Sequence, residues 1–165
     1  MNKNIDYKTY ISLHEKCDET FAKVAKLRWN TPDEKIIRTV DWMKKNNFGE
    51  IHGTMWFEIV AYNDMKDIVG YCFFMQNPKD RMQWYLGDLI IDEMYRKQSI
   101  ATNIIKIGIN MALENKGKHV YAYIEKENIP SISLHEKLGF RNLKRLEPFA
   151  DFIFGNDQST FEYNI

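Results

Sequence analysis

A chain of 165 residues with 44% hydrophobic and 28% charged residues has the make-up of one soluble globular domain, 1–165, with a sizeable core. Lys+Arg and Asp+Glu both number 23, so the uniform basic field expected of a nucleic-acid binder or a polybasic membrane surface is missing. No apolar run approaches about 18 residues, which excludes a membrane span, and the polar stretch Met1 to Tyr10 lacks the apolar segment of a secretory signal.

In chain order, Ile5, Tyr7, Thr9, Ile11 and Leu13 alternate with polar residues and predict a first strand. A helical stripe of Tyr7, Tyr10, Ile11 and His14 is the rival, disfavoured because Asp18 starts a fresh helix. Phe21, Val24, Ala25 and Arg28 then recur at helical spacing. Thr31-Pro32-Asp33-Glu34 reads as a capping box with proline at the first helical position, opening a helix to about Lys45. Asn46 to Gly53 is a predicted loop. Met55–Tyr62 and Ile68–Gln76 are strands joined by turn residues 63–67, hence a hairpin. Trp84 to Asp92 forms the next strand, with Gly87 hinting at a bulge. A helix follows from about Ser99 to Lys116, its apolar face Ile100, Ile104, Ile107, Gly108 and Met111, and Gly117 as its stop. His119 to Glu125 is a strand, 130–138 a short helix, and strands near Leu143–Leu146 and Thr160–Ile165 finish the chain. The order β-α-α-β-β-β-α-β-α-β-β is that of a single α/β unit of α+β type.

Cys17 and Cys72 have no metal-ligand spacing, which fits a reduced, cytoplasmic setting, with Cys72 buried in its strand. His14, His52 and His119 show no partner pattern, and no metal site or Ser-His-Asp arrangement is visible. Chemistry concentrates instead between Trp84 and Phe140. A strand that feeds the small turn Tyr95-Arg96-Lys97-Gln98-Ser99-Ile100-Ala101 and then a helix aims several backbone N–H groups and a helix dipole at one spot. That spot suits a phosphate or pyrophosphate.

Two motifs carry a resemblance. Arg96-Lys97-Gln98-Ser99-Ile100-Ala101 is similar to Arg/Gln-x-x-Gly-x-Gly/Ala, with Ser99 in place of the middle glycine. Asn128, Ser131, Leu134-His135 and Gly139-Phe140 are similar to Asn-x-x-Ala/Ser, Leu-Tyr, Gly-Phe, with His135 in place of tyrosine. In order and spacing the chain resembles the GNAT superfamily of acyl-CoA-dependent N-acetyltransferases over nearly its whole length, most strongly from Leu89 to Phe140. The resemblance implies a mixed, mostly antiparallel sheet flanked by helices. It implies transfer of an acetyl group from acetyl-CoA to an amine by direct attack on the thioester, with no metal.

Carried over residue by residue, the backbone around Lys97, Gln98, Ser99, Ile100, Ala101 and Thr102 would hold the pyrophosphate of coenzyme A, with Arg96 and Lys97 side chains in reach. Ser99 suits that position only at an ordinary φ, where its hydroxyl could cap the helix; a positive φ would carry strain. The strand of Leu89, Ile90 and Ile91 would splay from its neighbour and bond the pantetheine arm. Asn128 and Ser131 would contact that arm, Asn128 serving equally as a helix cap. His135 is a candidate general acid, or base, with a buried histidine of no chemical role as the alternative. Asp88, on a strand face with Trp84 and Ile90, and Glu58, mid-hairpin, are candidate bases or anchors for a cationic acceptor. Trp29, Trp42, Trp56 and Phe149 fit an acceptor wall or plain core.

The acceptor remains open among small-molecule and peptide amines. A non-catalytic module that binds coenzyme A or another ligand, and an enzyme using a longer acyl-CoA, are the alternative readings. A free sheet edge after the last strand leaves room for a homodimer.

Overall fold

The computed structural model describes residues 4–11, 16–45 and 53–165, so the predicted loop 46–52, Leu13, His14 and His52 lie outside the described residues. The elements are β1 Asp6–Tyr10, α1 Asp18–Trp29, α2 Ile36–Lys45, β2 Trp56–Tyr62, β3 Ile68–Gln76, β4 Gln83–Ile91, α3 Ile100–Glu114, β5 His119–Glu125, α4 Ile129–Lys137, β6 Arg141–Asn142 and β7 Gln158–Asn164. They form one seven-stranded sheet in the order β1-β2-β3-β4-β5-β7-β6. Every neighbouring pair is antiparallel except β4 with β5.

The β2–β3 hairpin is set by its turn. Asn63 Oδ1 accepts from the N–H groups of Met65 (3.0 Å) and Asp67 (2.8 Å), and its Nδ2 donates to the Tyr95 hydroxyl at 2.9 Å. The hairpin is thereby tied to the segment that follows β4. One face of the sheet packs against α3 and α4 through Phe57, Ile59, Phe74, Trp84, Leu86, Ile100, Ile104 and Phe161. Phe57 lies between Phe74 (5.2 Å) and Trp84 (5.6 Å). The other face packs against α1 and α2 through Phe21, Val24, Val40, Val60 and Tyr71. Cys72 is buried, and burial pushes its thiol well above the ordinary range.

Local chemistry departs from expectation at four places. The capping box does not form: Thr31 Oγ1 donates back to the Ala25 carbonyl at 3.2 Å, and Pro32 leads a 3-10 turn, Asp33–Lys35, without a side-chain cap. Lys116, not Gly117, takes the left-handed conformation after α3; Gly117 is needed because a Cβ there would lie 2.7 Å from the Trp84 indole. The strand expected at Leu143–Leu146 is the two-residue β6, two residues earlier. The fourth is the face of Asp88, reversed by a bulge in β4 of the kind Gly87 hinted at. Phe73 pairs with Gly87 and Tyr71 with Ile90, so two residues, Asp88 and Leu89, oppose one. Asp88 takes φ 51°. The extra residue reverses the alternation beyond it. Trp84 and Leu86 therefore share the α3 face with Leu89 and Ile91, whereas Asp88 and Ile90 face α1. The expectation that Asp88 shares a face with Trp84 fails for this reason. Gly87 itself admits the Phe73 ring, 2.2 Å from where its Cβ would be.

Candidate active site

β4 and β5 pair only over Gln83–Tyr85 and His119–Tyr121, then part. From Leu86 onward β4 keeps β3 as its neighbour, and β5 keeps β7. A gap opens between two parallel strands, edged by the backbone of Leu89, Ile90 and Ile91. Leu89 and Ile91 also pack their side chains on the core, as expected of them.

At the end of β4 the chain turns through Glu93–Tyr95 into α3. Asp92 Oδ1 accepts from Met94 N–H at 2.9 Å, and buried Tyr95 anchors the turn on Asn63. Arg96 Nε donates to the Ile91 carbonyl at 3.3 Å and Gln98 Nε2 to the Met94 carbonyl at 3.2 Å, so both side chains are used on the turn itself. Lys97 and Ser99 have φ of 60° and 61°. Ser99 is the N-cap of α3 with no side-chain cap, and its carbonyl accepts from Asn103 N–H at 3.0 Å. The ordinary φ that would suit serine is absent, and two residues of positive φ, Lys97 and Ser99, stand one residue apart in the turn. None of the N–H groups from Lys97 through Thr102 has a backbone acceptor among the described residues outside the helix itself. Open donors at a helix N-terminus are the kind of arrangement that suits an anion.

Across the gap, Asn128 Oδ1 accepts from Ser131 N–H at 3.2 Å and so caps α4, with Pro130 in its first turn. His135 is buried beneath, its ring edge-on to Phe140 at 4.9 Å. Its Nδ1 lies 2.8 Å from the Ser131 carbonyl. A carbonyl only accepts, so Nδ1 carries the proton. Nε2 is buried without a partner among the described residues. Desolvation lowers the His135 pKa against the raising effect of the Ser131 bond, and the ring is neutral near pH 7.

On the α1–α2 face the two carboxylates sit in separate clusters. Glu58 is buried; it is ion-paired with Lys16, and the Tyr71 hydroxyl donates to it at 2.8 Å. Burial lowers the Lys16 pKa, opposed by Glu58, and its Nζ lies 4.2 Å from the Phe21 ring. Asp88 is partly exposed and paired with Arg28. Near the parting strands stand Tyr85 and Tyr123, whose rings meet at 5.4 Å, with Phe154 stacked on Tyr123. Burial raises the Tyr85 phenol pKa, and the nearby Arg28 charge opposes that shift. The four wall candidates divide. Trp56 and Phe149 are core, while Trp29 and Trp42 are 40% and 51% exposed and meet edge-to-face at 5.7 Å. His119 bonds Asn164 at 2.8 Å at the far end of β5.

Sequence reasoning passed over Arg28, Lys16 and Tyr71. For Arg28 a signal existed: it falls on the apolar stripe of Phe21, Val24 and Ala25, where a charge needs a partner. Lys16 and Tyr71 offered no pattern. Among the described residues no cluster of three or more His, Cys, Asp or Glu could hold a metal, and no helix is long and apolar enough to cross a membrane.

The sequence model of the acetyltransferase (GNAT) family matches residues 16–140. N-alpha-acetyltransferase 30 of Dictyostelium discoideum is 37% identical over 73 residues, 44% of this chain and 38% of that protein. A mycothiol acetyltransferase of Corynebacterium glutamicum is 22% identical over 130 residues, 67% of this chain and 44% of that protein. The chain thus matches less than half the length of these curated relatives. A GNAT-family protein from Desulfovibrio desulfuricans superposes with a TM-score of 0.68 at 12% identity, covering 98% of this chain and 99% of that one. PaiA N-acetyltransferase from Thermoplasma acidophilum, solved in complex with coenzyme A, superposes with a TM-score of 0.67 at 13% identity, covering 97% and 99%. At these identities the likeness is one of fold.

Proposed function

The chain belongs to the acetyltransferase (GNAT) family, and on that premise we propose that it moves an acetyl group from acetyl-CoA to the amine of a small molecule or peptide. The observation that carries this reading is the parting of β4 from β5 after Tyr85, with the open N–H turn at the end of the same strand. An extended pantetheine arm fits as a third strand in the gap, bonded to the edge of Leu89, Ile90 and Ile91. The pyrophosphate then rests on the N–H groups from Lys97 to Thr102, each contact contributing about 0.3–2 kcal/mol.

The amine nitrogen attacks the thioester carbonyl, a C–N bond forms, and the C–S bond breaks as the tetrahedral intermediate collapses. A backbone N–H freed by the bulge at Asp88 and Leu89 stabilises the oxyanion. Asp88 is the better placed of the two carboxylates to receive the ammonium and its proton, being partly exposed on the face opposite α3. Glu58, with both oxygens engaged, sets the charge of the floor beneath. His135 donates to the leaving sulfur only after its ring exchanges tautomer; otherwise the thiolate takes a proton from water, as an ordinary thiol pKa of about 8.5 allows.

That buried, neutral His135 also favours a second reading, in which the fold binds coenzyme A without chemistry. Thermal unfolding with acetyl-CoA, paired with a thiol-release assay over an amine panel, separates the two. At about 100 times its Kd a native-state ligand adds about 2.7 kcal/mol. Stabilisation with thiol release supports the enzyme; stabilisation without release supports the module; no stabilisation overturns both.

A further inference from the structure

Arg28, in the last turn of α1, lies over β3 and β4 on the face opposite α3. Its guanidinium lies 4.2 Å from the Trp29 ring, 5.6 Å from Tyr71 and 5.8 Å from Phe73. Three aromatic faces fix its plane. Its ion-pair partner is Asp88, and its Nε is buried with no hydrogen-bond partner among the described residues. A guanidinium offers five donors in a rigid fork suited to carboxylate. The other acid on this face, Glu58, is taken by Lys16 and Tyr71. Beyond Trp29 a groove of about 390 Å³ is lined by Trp29, Thr31, Lys35, Arg38, Thr39 and Trp42. It holds two cations and no acid, and neither cation makes an ion pair among the described residues.

We propose that the acceptor is an amine that itself carries a carboxylate, which Arg28 binds while Asp88 takes the ammonium. The inference rests on the acetyl-transfer reading of this site. Its physical basis is charge balance. A zwitterion replaces one Arg28–Asp88 pair by two pairs, Arg28 with the substrate carboxylate and Asp88 with its ammonium. A simple cationic amine that took Asp88 would strand Arg28 against three rings without a counter-charge, which is costly for a desolvated ion. The Arg28 Nε, Lys35 and Arg38, each without a partner among the described residues, and the aromatic walls all favour an anionic group with apolar surface. Free amino acids and peptides with an acidic residue beside the N-terminus share this chemistry.

The test is calorimetric binding to the protein with and without saturating coenzyme A, using matched pairs. Phenylalanine against phenethylamine and methionine against methioninamide form the amino-acid arm. A Glu-led tetrapeptide against its Gln-led counterpart forms the peptide arm. The carboxylate-bearing member is expected to bind about tenfold tighter in one arm, as one charge-assisted pair supplies. Arg28→Met, which keeps the stem on the rings, abolishes the preference, and Arg28→Lys retains part of it. Equal binding within every pair, no binding of any member at millimolar concentration, or a preference that survives Arg28→Met overturns the proposal. The wild-type comparison stands even where a variant folds poorly. Failure to bind coenzyme A sinks the acetyl-transfer reading, while the carboxylate preference is still read on the protein alone.

Discussion

The two faces of the sheet rest on different physics. Toward α3 and α4 the packing is hydrocarbon and aromatic ring: Phe57, Phe74, Trp84, Ile104 and Phe161 are all fully buried. Toward α1 and α2 buried apolar residues such as Phe21, Val24 and Val60 share the interface with charge: Lys16 and Glu58 are buried with Tyr71, and Arg28 pairs with a partly exposed Asp88. Apolar burial stabilises by about 1.5–3 kcal/mol per large side chain. A buried ion pair gives no more than an apolar filling of equal shape, and often less. Stability therefore explains the apolar packing on both faces and leaves the charges on the second unexplained. Charges kept on one side of the sheet, with Asp88 on the strand that edges the gap, are what an acceptor site would need.

The largest expected effects test that contrast directly. Trp84→Ala should cost about 3–5 kcal/mol, lowering Tm on the order of 10 °C for a chain of this size. Glu58→Gln should cost a similar 3–5 kcal/mol or so, because Lys16 is left buried without a counter-charge. The faces separate in the rescue. Lys16→Met with Glu58→Leu and Tyr71→Phe should return within about 1 kcal/mol of wild type in urea unfolding, whereas no small substitution at Trp84 refills its cavity. A triple variant as unstable as Glu58→Gln would mean the cluster holds the fold together. The Lys16 pKa lies below its usual 10.5 through burial, so the unfolded chain keeps that proton to higher pH than the native one. Stability from this group rises as pH climbs toward 10.5, and in Glu58→Gln the rise should begin at lower pH.

The same contrast explains what could be read from the chain. Apolar periodicity placed β2 to β5, α1 to α4 and the β-α-α-β-β-β-α-β-α-β-β order, because the face a residue buries is written in its spacing. The strand–turn–helix that holds the open N–H groups of Lys97 to Thr102 was legible in position, because its strand and helix carry strong apolar periodicity. Three things escaped. The bulge at Asp88 hinges on pairing with β3, and Gly87 announced an irregularity without saying which residues it would turn. The tautomer of His135 depends on a helix carbonyl one turn back. Arg28 met Asp88, and Lys16 and Tyr71 met Glu58, only when the chain packed on β2, β3 and β4; the stripe of α1 asks for a partner to Arg28 without naming it.

His135 offers a smaller effect with a clear sign. Its folded pKa is depressed below 6.5, so its contribution to stability is full above 6.5 and is lost as pH falls through that value toward the folded pKa. In His135→Phe, Tm plotted against pH should be flatter below 6.5. An unchanged acid slope would mean that the ring charges in place at no cost. Turnover gives a separate reading. A general acid supplies roughly 10²–10⁴-fold in rate, so a loss of that size in kcat with KM unchanged makes His135 the proton donor. A kcat within a few-fold of wild type makes water the donor.

The smallest expected effect lies in the turn. At φ 61° serine occupies a conformation that glycine adopts freely, and the hydroxyl caps nothing. Relief of that strain in Ser99→Gly is worth about 1–2 kcal/mol, against about 0.4–1 kcal/mol for the extra freedom glycine gives the unfolded chain. The net is a gain of about 0 to 1.6 kcal/mol, or up to about 6 °C in Tm. Acetyl-CoA then decides what the serine is for. If the backbone N–H groups alone hold the pyrophosphate, the ligand-induced rise in Tm should be the same in both proteins or larger in the glycine variant. A smaller rise in Ser99→Gly would show that the hydroxyl bonds a phosphate oxygen and that the strained φ is kept to aim it.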